Sequence, residues 1–334
     1  MSDPLVSILL PVRDGAAYLT AALDSLVRQT LDRWELVAVD DHSGDATPRI
    51  LADYARRDPR IRVITPEGRG LVPALNTGFA ACHAPLVARM DADDISHPRR
   101  LQRQFDVLAA NPDVGLAACG FRHFPRQNLR VGMRAYETWQ NGLVTHDLIQ
   151  RDLFVESPFV HPSVMFRKKL VEQSGGYREC GWTEDYDLWL RLAAADVRFA
   201  RLPEQLFFWR ERPDRLTRIA PAYTPAAFRA CKAHYLKEGF LSGVEGVTLV
   251  GAGLEGRAWR RALAEVGIGV TRWIDADPRK QGRLLHGATV LPPDTDELSG
   301  RFLVTIGTRG ARAGIRSWLA GRGLIEGKDV LFVT

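Results

Sequence analysis

At 334 residues, 46% apolar and 25% charged, the chain has the make-up of a water-soluble globular protein with room for two domains. Its net charge of +5 suits phosphate-bearing substrates or an anionic membrane surface but decides nothing alone, and no nucleic-acid partner is expected. No apolar run could span a bilayer, the N-terminus lacks the pattern of a signal peptide, and four scattered cysteines (Cys82, Cys119, Cys180, Cys231) without a CxxC pair suit reduced cytoplasmic thiols better than a disulfide frame or zinc site.

Residues 5–11, LVSILLP, read as a buried strand, and 16–29 carry helical spacing through Leu19, Leu23, Leu26 and Val27. A second strand, 36–39, ends in Asp40-Asp41, followed by the turn-formers Ser43-Gly44-Asp45 and a helix to about residue 57. After a third strand at 61–65, Gly68-Arg69-Gly70 breaks the chain before a helix bearing Leu71, Leu75, Asn76 and Phe79. The apolar run 86–90 then ends in Asp91, Asp93 and Asp94, and Pro98 opens a helix to residue 110, with another strand near 114–119. Strands alternating with helices predict a mostly parallel sheet covered on both faces, with ligands at the carboxyl ends of its strands. Asp14, Asp40, Asp41, Asp91, Asp93 and Asp94 all follow strands and should share that edge. Packed carboxylates repel unless something positive sits among them, and Mg²⁺ or Mn²⁺ with substrate phosphates is one answer; acids capping the next helix are the other.

Residues 121–141 hold four arginines and scattered aromatics without a clear period and read as irregular. A strand around 163–166 and a Gly-Gly turn precede a strong helix from about Glu184, with Thr183 as its expected N-cap. Asp187 and Arg191 stand four apart, as an ion pair requires, and two acids in the first turn exceed what capping needs. Between 198 and 218 lie six arginines and an expected edge strand, FFW at 207–209; they form either a solvated face or a clamp for a diphosphate. A helix at 222–239 either packs against a domain or lies on a membrane. The segment VTLVGAGLEGRAWRRALAEVGIGVTRWIDADP then places Gly251, Gly253 and Gly256 between strand and helix, with Asp275 ending the next strand. That is a dinucleotide-type fingerprint, read either as a ligand site or as a turn kept for close packing.

PVRDGAAYL (11–19), VAVDDHSGD (37–45), GLVPALNTGFAACHAPLVARMDADD (70–94), HPSVMFRKKLVEQSGGY (161–177) and TEDYDLWLRL (183–192) together resemble family 2 of the glycosyltransferases, over residues 4–215. The resemblance implies a GT-A fold, an α/β architecture with a mixed, mostly parallel sheet, and an inverting enzyme using a nucleotide-diphospho-sugar donor. It places Asp41 on the nucleobase, often uracil; Asp91 at the ribose; Asp93 and Asp94 on a divalent metal, Mn²⁺ or Mg²⁺; and Asp185 as the general base. Pro11, Asp14 and Asn76 would line the nucleotide pocket, although the family often has Asn where Asp14 stands. Glu184 and His161 would face the acceptor, a saccharide or a lipid-linked one, in cell-surface polysaccharide assembly. The QxxRW element of processive synthases is absent, so one sugar per binding event is expected.

The expected organisation is a catalytic domain at 1–215, a helical linker at 216–243 and a small Rossmann-like domain at 244–334 that resembles modules on some bacterial sugar-processing enzymes. A chain ending near Glu238 is then expected to fold and to hydrolyse donor. The expected location is the cytoplasm, with peripheral association at the inner membrane face as an option. Two rival functions carry sequence tests. A nucleotidyltransferase would need a Gly-rich basic loop after the first strand, which PVRDGAAYL is not. A nucleotide-binding sensor or scaffold with an inert GT-A domain would have lost the acids, which are all present.

Overall fold

A computed structural model describes residues 3–308 and 310–334 and divides them into two compact units. The first comprises the chain up to Ile149 together with Pro158–Cys180 and Glu184–Ile219. Its strands are β1 (Val6–Val12), β2 (Trp34–Asp40), β3 (Ile61–Ile64), β4 (Leu86–Arg89), β5 (Ile95–Ser96), β6 (Val114–Phe124), β7 (Val164–Arg167) and β8 (Arg198–Arg210). They form one sheet in the order β3-β2-β1-β4-β7-β6-β8-β5. β1 and β2 are buried along their whole length, as expected of parallel strands covered on both faces.

Pairing directions decide where the acids go. β2, β1 and β4 run parallel, while β7 is antiparallel to both β4 and β6, and β6 runs parallel to β8. The loops after β1, β2, β4, β6 and β8, and the segment just before β7, therefore all emerge at one edge. Asp14, Asp41, Asp91, His161 and Arg210 are carried to that edge from five separate stretches of chain. β6 runs five residues past the strand expected from the sequence, with a register shift at Gly120, where a Cβ would lie 2.8 Å from the Glu204 carbonyl oxygen. FFW is not an edge strand: Phe207 and Phe208 pair with β6 on one side and with the two-residue β5 on the other. The region read as irregular contains a helix, Val131–Asn141.

The second unit comprises Gln150–Ser157, Gly181–Thr183 and the chain from Ala220 onward. Its strands β9 (Gly246–Val250), β10 (Gly269–Ile274), β11 (Leu284–Leu285), β12 (Ala288–Leu291), β13 (Arg301–Val304) and β14 (Val330–Phe332) form a sheet in the order β11-β12-β10-β9-β13-β14. Apart from β11 all are parallel, and the order reverses beside β9, as in a Rossmann-like half. The helix Pro225–Glu238 is no linker and is not laid out for a membrane. Its Ala233 and Leu236 belong to this unit's apolar core with Trp259, Trp273 and Leu303.

Two short stretches expected in the catalytic domain also belong to this second unit. Phe154 packs against it, the buried Asp152 pairs with Arg316 at 2.6 Å, and buried Lys232 donates to the carbonyls of Val155 and Val333 at 2.8 and 3.2 Å. A chain ending at Glu238 would bare Phe154 and leave Asp152 without Arg316. Against the sequence expectation, we expect that truncation to give insoluble protein or a Tm well below that of the full chain, read by thermal unfolding.

Candidate active site

The carboxylates of Asp91, Asp93 and Asp94 converge just beyond β4, with one oxygen of each within 4.8 Å of the others. Each has one oxygen engaged. Asp91 Oδ1 accepts from Arg89 Nη2 at 2.6 Å, Asp93 Oδ2 from Arg212 Nε at 2.8 Å, and Asp94 Oδ1 from the Arg210 backbone N–H at 2.7 Å. Asp94 is 1% exposed, and its Oδ2 is buried without a hydrogen-bond partner. Burial, then the neighbouring Asp93 and Asp91, push its carboxyl well above the usual range. Burial also opposes charge on Asp91, but Arg89, His161 and Arg215 outweigh it and hold that carboxyl below its ordinary value. An orphaned buried oxygen among three hard oxygen donors fits a divalent cation: these residues have the chemistry for Mg²⁺ or Mn²⁺.

The adjoining loops are built around Asp41. Both its oxygens accept from the Gly70 N–H, at 3.1 and 3.0 Å, which fixes the turn where Gly70 takes φ +108°. Arg13 lies 3.9 Å away. Asp14 sits at φ +50°, a conformation that Asn and Asp tolerate better than most residues, and its Oδ1 accepts from Gly44 N–H at 2.7 Å. An Asn could make the same bond, so this departure from the family pattern is conservative for the backbone. Pro11 is buried within β1, opposite Val39. Asn76, expected on the nucleotide, has another occupation: its amide accepts from Tyr177 N–H at 3.0 Å and donates to Tyr177 C=O at 2.9 Å. It ties the helix Leu71–Ala81 to the Gly175-Gly176 turn.

Glu184 and Asp185 open the helix Glu184–Ala194, whose Tyr186, Leu188, Trp189 and Leu192 are buried. Thr183 does not cap it, because its buried hydroxyl has no hydrogen-bond partner; Asp185 Oδ1 instead accepts from Tyr186 N–H at 2.7 Å. Asp185 is half-buried, and loss of water, reinforced by Glu184, pushes its carboxyl well above the usual range. Such a carboxylate is a stronger proton acceptor than a free one. Glu184 and His161, expected to face an acceptor, are 5% and 7% exposed. His161 Nδ1 lies 3.5 Å from Glu184 Oε1 and Nε2 lies 3.0 Å from the Tyr177 hydroxyl. Burial, then Arg89, holds the His161 pKa below its ordinary value. These two residues brace the turn that presents Asp185. Asp187, 1% exposed, pairs with Arg191 at 2.8 Å, and Arg191 also donates to the carbonyl of Gly176 at 2.7 Å.

Sequence reading overlooked Arg89. It is 1% exposed, donates to the Met90 carbonyl as well as to Asp91, and its charge bears on Asp91, His161 and Asp185 alike. A cation inside a predominantly apolar strand is the signal that was there to read. Arg89→Met should cost about 1–3 kcal/mol by stripping Asp91 of its partner, measurable by urea unfolding. Of the arginines that were open to two readings, Arg210 and Arg212 reach the acid cluster, and Arg215 is buried with its guanidinium 3.8 Å from the Trp209 ring centroid.

In the fingerprint of the second unit, backbone geometry accounts for two of the three glycines. A Cβ on Gly256 would fall 1.9 Å from the Gly251 carbonyl oxygen, and Gly251 has φ +107°; nothing crowds Gly253. Asp275, the acid that ends the next strand of that fingerprint, accepts from Ala252 N–H at 2.8 Å and from Lys280 Nζ at 2.9 Å.

A glycosyltransferase is the class that this sheet edge defines: an acid cluster fit for a metal, a fixed Asp41 loop and a separate raised carboxyl. Residues 7–175 match the family described as Glycosyl transferase family 2, and the chain belongs to that family. It is 30% identical over 229 residues to the O-antigen biosynthesis glycosyltransferase WbnJ of Escherichia coli, covering 67% of this chain and 86% of that protein. It is also 30% identical to the amylovoran biosynthesis glycosyltransferase AmsE of Erwinia amylovora, over 64% of this chain and 78% of that one. Among solved structures, Staphylococcus aureus TarS 1-349 in complex with UDP-GlcNAc superposes with a TM-score of 0.56 at 17% identity, covering 78% of this chain and 80% of that one. The mannosyltransferase PcManGT of Pyrobaculum calidifontis, in complex with GDP-Man and Mn²⁺, gives 0.50 at 21% identity, covering 80% and 70%.

Proposed function

We propose that the enzyme transfers one sugar, with inversion, from a nucleotide-diphospho-sugar, a UDP-sugar by preference, to a hydroxyl of a saccharide or lipid-linked acceptor in cell-surface polysaccharide biosynthesis. The observation that carries this reading is the orphaned Asp94 oxygen beside Asp91 and Asp93, with Asp185 held apart as a raised carboxyl. The relatives that act in O-antigen and amylovoran biosynthesis support the pathway class, and the neighbours that bind UDP-GlcNAc or GDP-Man with Mn²⁺ support the donor class.

Asp93 and Asp94, with Asp91, would hold Mn²⁺ or Mg²⁺, which when bound supplies positive charge to the departing diphosphate. Asp41 would accept from the base. Arg210 and Arg212, already at the cluster, would meet diphosphate oxygens as charge develops on them. Asp185 would take the proton of the acceptor hydroxyl as that oxygen attacks the anomeric carbon from the face opposite the diphosphate. Glu184 and His161 would keep Asp185 in place. No observation favours an inert GT-A scaffold. Among the described residues no helix is long and apolar enough to cross a membrane.

Thermal unfolding with UDP, GDP and their sugars, each with and without Mn²⁺, tests the donor and metal together. A metal-dependent rise in Tm is expected for one base over the other. No rise with any nucleotide, with or without Mn²⁺, would remove the reading.

A further inference from the structure

Two helices hold the turn at residues 174–177. Asn76, on the helix Leu71–Ala81, accepts one bond from the Tyr177 backbone and donates another to it. Gly176 takes φ +67°, and a Cβ there would lie 3.0 Å from Asn76 Oδ1, so glycine is what lets the amide come so close. Arg191, on the helix Glu184–Ala194, donates to the carbonyls of Ser174 and Gly176 at 2.5 and 2.7 Å. The first helix follows directly on Gly70, whose N–H Asp41 holds, and the second carries Asp185.

A third connection runs through side chains. Tyr177 is 3% exposed, and its hydroxyl lies 3.0 Å from His161 Nε2. Burial pushes its phenol well above the usual range, so the oxygen keeps a proton to give. Across the imidazole, Nδ1 faces Glu184 Oε1 at 3.5 Å. A carboxylate accepts, which places an N–H on Nδ1 and leaves Nε2 to accept from Tyr177. An imidazole engaged at both nitrogens is fixed in orientation, and it fixes Glu184 at the start of the helix that presents Asp185.

We propose that Asn76 and Tyr177 are positioning residues for the transfer step. Asn76 seats Tyr177, and the Tyr177 hydroxyl, through His161 and Glu184, holds Asp185 where the acceptor oxygen must give up its proton. The proposal rests on Asp185 being the base. It gives Asn76 a part in the chemical step instead of in donor binding, and it makes the Gly175-Gly176 turn the common support of the Asp41 loop and the base. A run of bonds that served stability alone would, when broken, lower Tm and leave the folded enzyme as fast as before.

The test is hydrolysis of UDP-GlcNAc and GDP-Man by the full chain with Mn²⁺, with donor Kd and Tm measured on the same samples. Tyr177→Phe keeps the ring and removes only the bond to His161. Its kcat should fall about tenfold while donor Kd stays within about twofold of wild type. Asn76→Ala should show the same split; a weakened Kd at unchanged kcat would return Asn76 to the nucleotide pocket and overturn its part. The deciding variant is Tyr177→Phe/Asp185→Asn. It should be no slower than Asp185→Asn alone, because Tyr177 acts through Asp185. Losses that multiply, or a Tyr177→Phe enzyme with lowered Tm and wild-type kcat, overturn the proposal. Normal turnover by Asp185→Asn beside a slow Tyr177→Phe removes the base assignment instead, and the proposal with it.

Discussion

Asp185→Asn should lower turnover by about 10²–10⁴, while donor and metal affinity barely change. Asn keeps the shape of the side chain and can still accept from Tyr186 N–H, so the helix start is preserved and only the proton acceptor is lost. If Asp185 merely favoured the helix dipole, the substitution would cost roughly 0.3–1 kcal/mol of stability and leave turnover of the folded enzyme near normal. Transfer rate and donor affinity, measured side by side, separate the two. Glu184→Gln should have the smaller effect on rate, because Glu184 is buried against His161. The raised carboxyl of Asp185 also sets a sign for pH. A base must be ionised, so the rate of the wild-type enzyme should rise with pH through a value above the ordinary aspartate range. Normal transfer by Asp185→Asn would move the base elsewhere; Asp187 is a poor successor, since it is already held by Arg191.

At the acid cluster the expected effects run in opposite directions for binding and for stability. Asp93→Ala and Asp94→Asn should each remove Mn²⁺-dependent donor binding, on the order of 10²–10³ in affinity, because the charge that offsets the diphosphate has lost a ligand. Without metal, Asp94→Asn should nonetheless be more stable than the wild type at neutral pH. The folded-state pKa of Asp94 lies above its unfolded value, so the native state binds the proton more readily than the unfolded chain does. Stability is therefore lost as pH rises through and beyond the ordinary aspartate range, and an Asn that accepts from Arg210 N–H escapes that loss. Calorimetry from acid to neutral pH, with and without Mn²⁺, reads both effects. A metal-free Asp94→Asn protein less stable than wild type would mean that the carboxylate is compensated in the apo state.

The parts of the fold legible in the sequence are those whose burial follows a period. The strands up to residue 119 and the helix from Glu184 carry their apolar pattern locally, and the acids that follow the strands could be assigned to one edge from topology alone. The helix Val131–Asn141 escaped because its inward positions are polar: the buried residues are Glu137 and Gln140, and Glu137 accepts from His123 N–H and pairs with Arg126. No apolar stripe exists there to detect. The arginines of the site were ambiguous for another reason. Arg210 donates to Asp94 across 116 residues, and Asn76 embraces Tyr177 across 101; no spacing rule reaches so far. Thr183 misleads in the opposite way, since it stands where a cap belongs by pattern, and its buried hydroxyl makes no such bond.

The discontinuity of the second unit has a consequence for biosynthesis. Phe154 and Asp152 leave the ribosome long before Arg316 and the strands of the second unit, so the nascent chain carries Phe154 uncovered and Asp152 without Arg316 for on the order of ten seconds. Cells making this protein should therefore lose yield whenever translation stalls or terminates between the helix Pro225–Glu238 and β14, and chaperone supply during that interval should matter more than temperature after release.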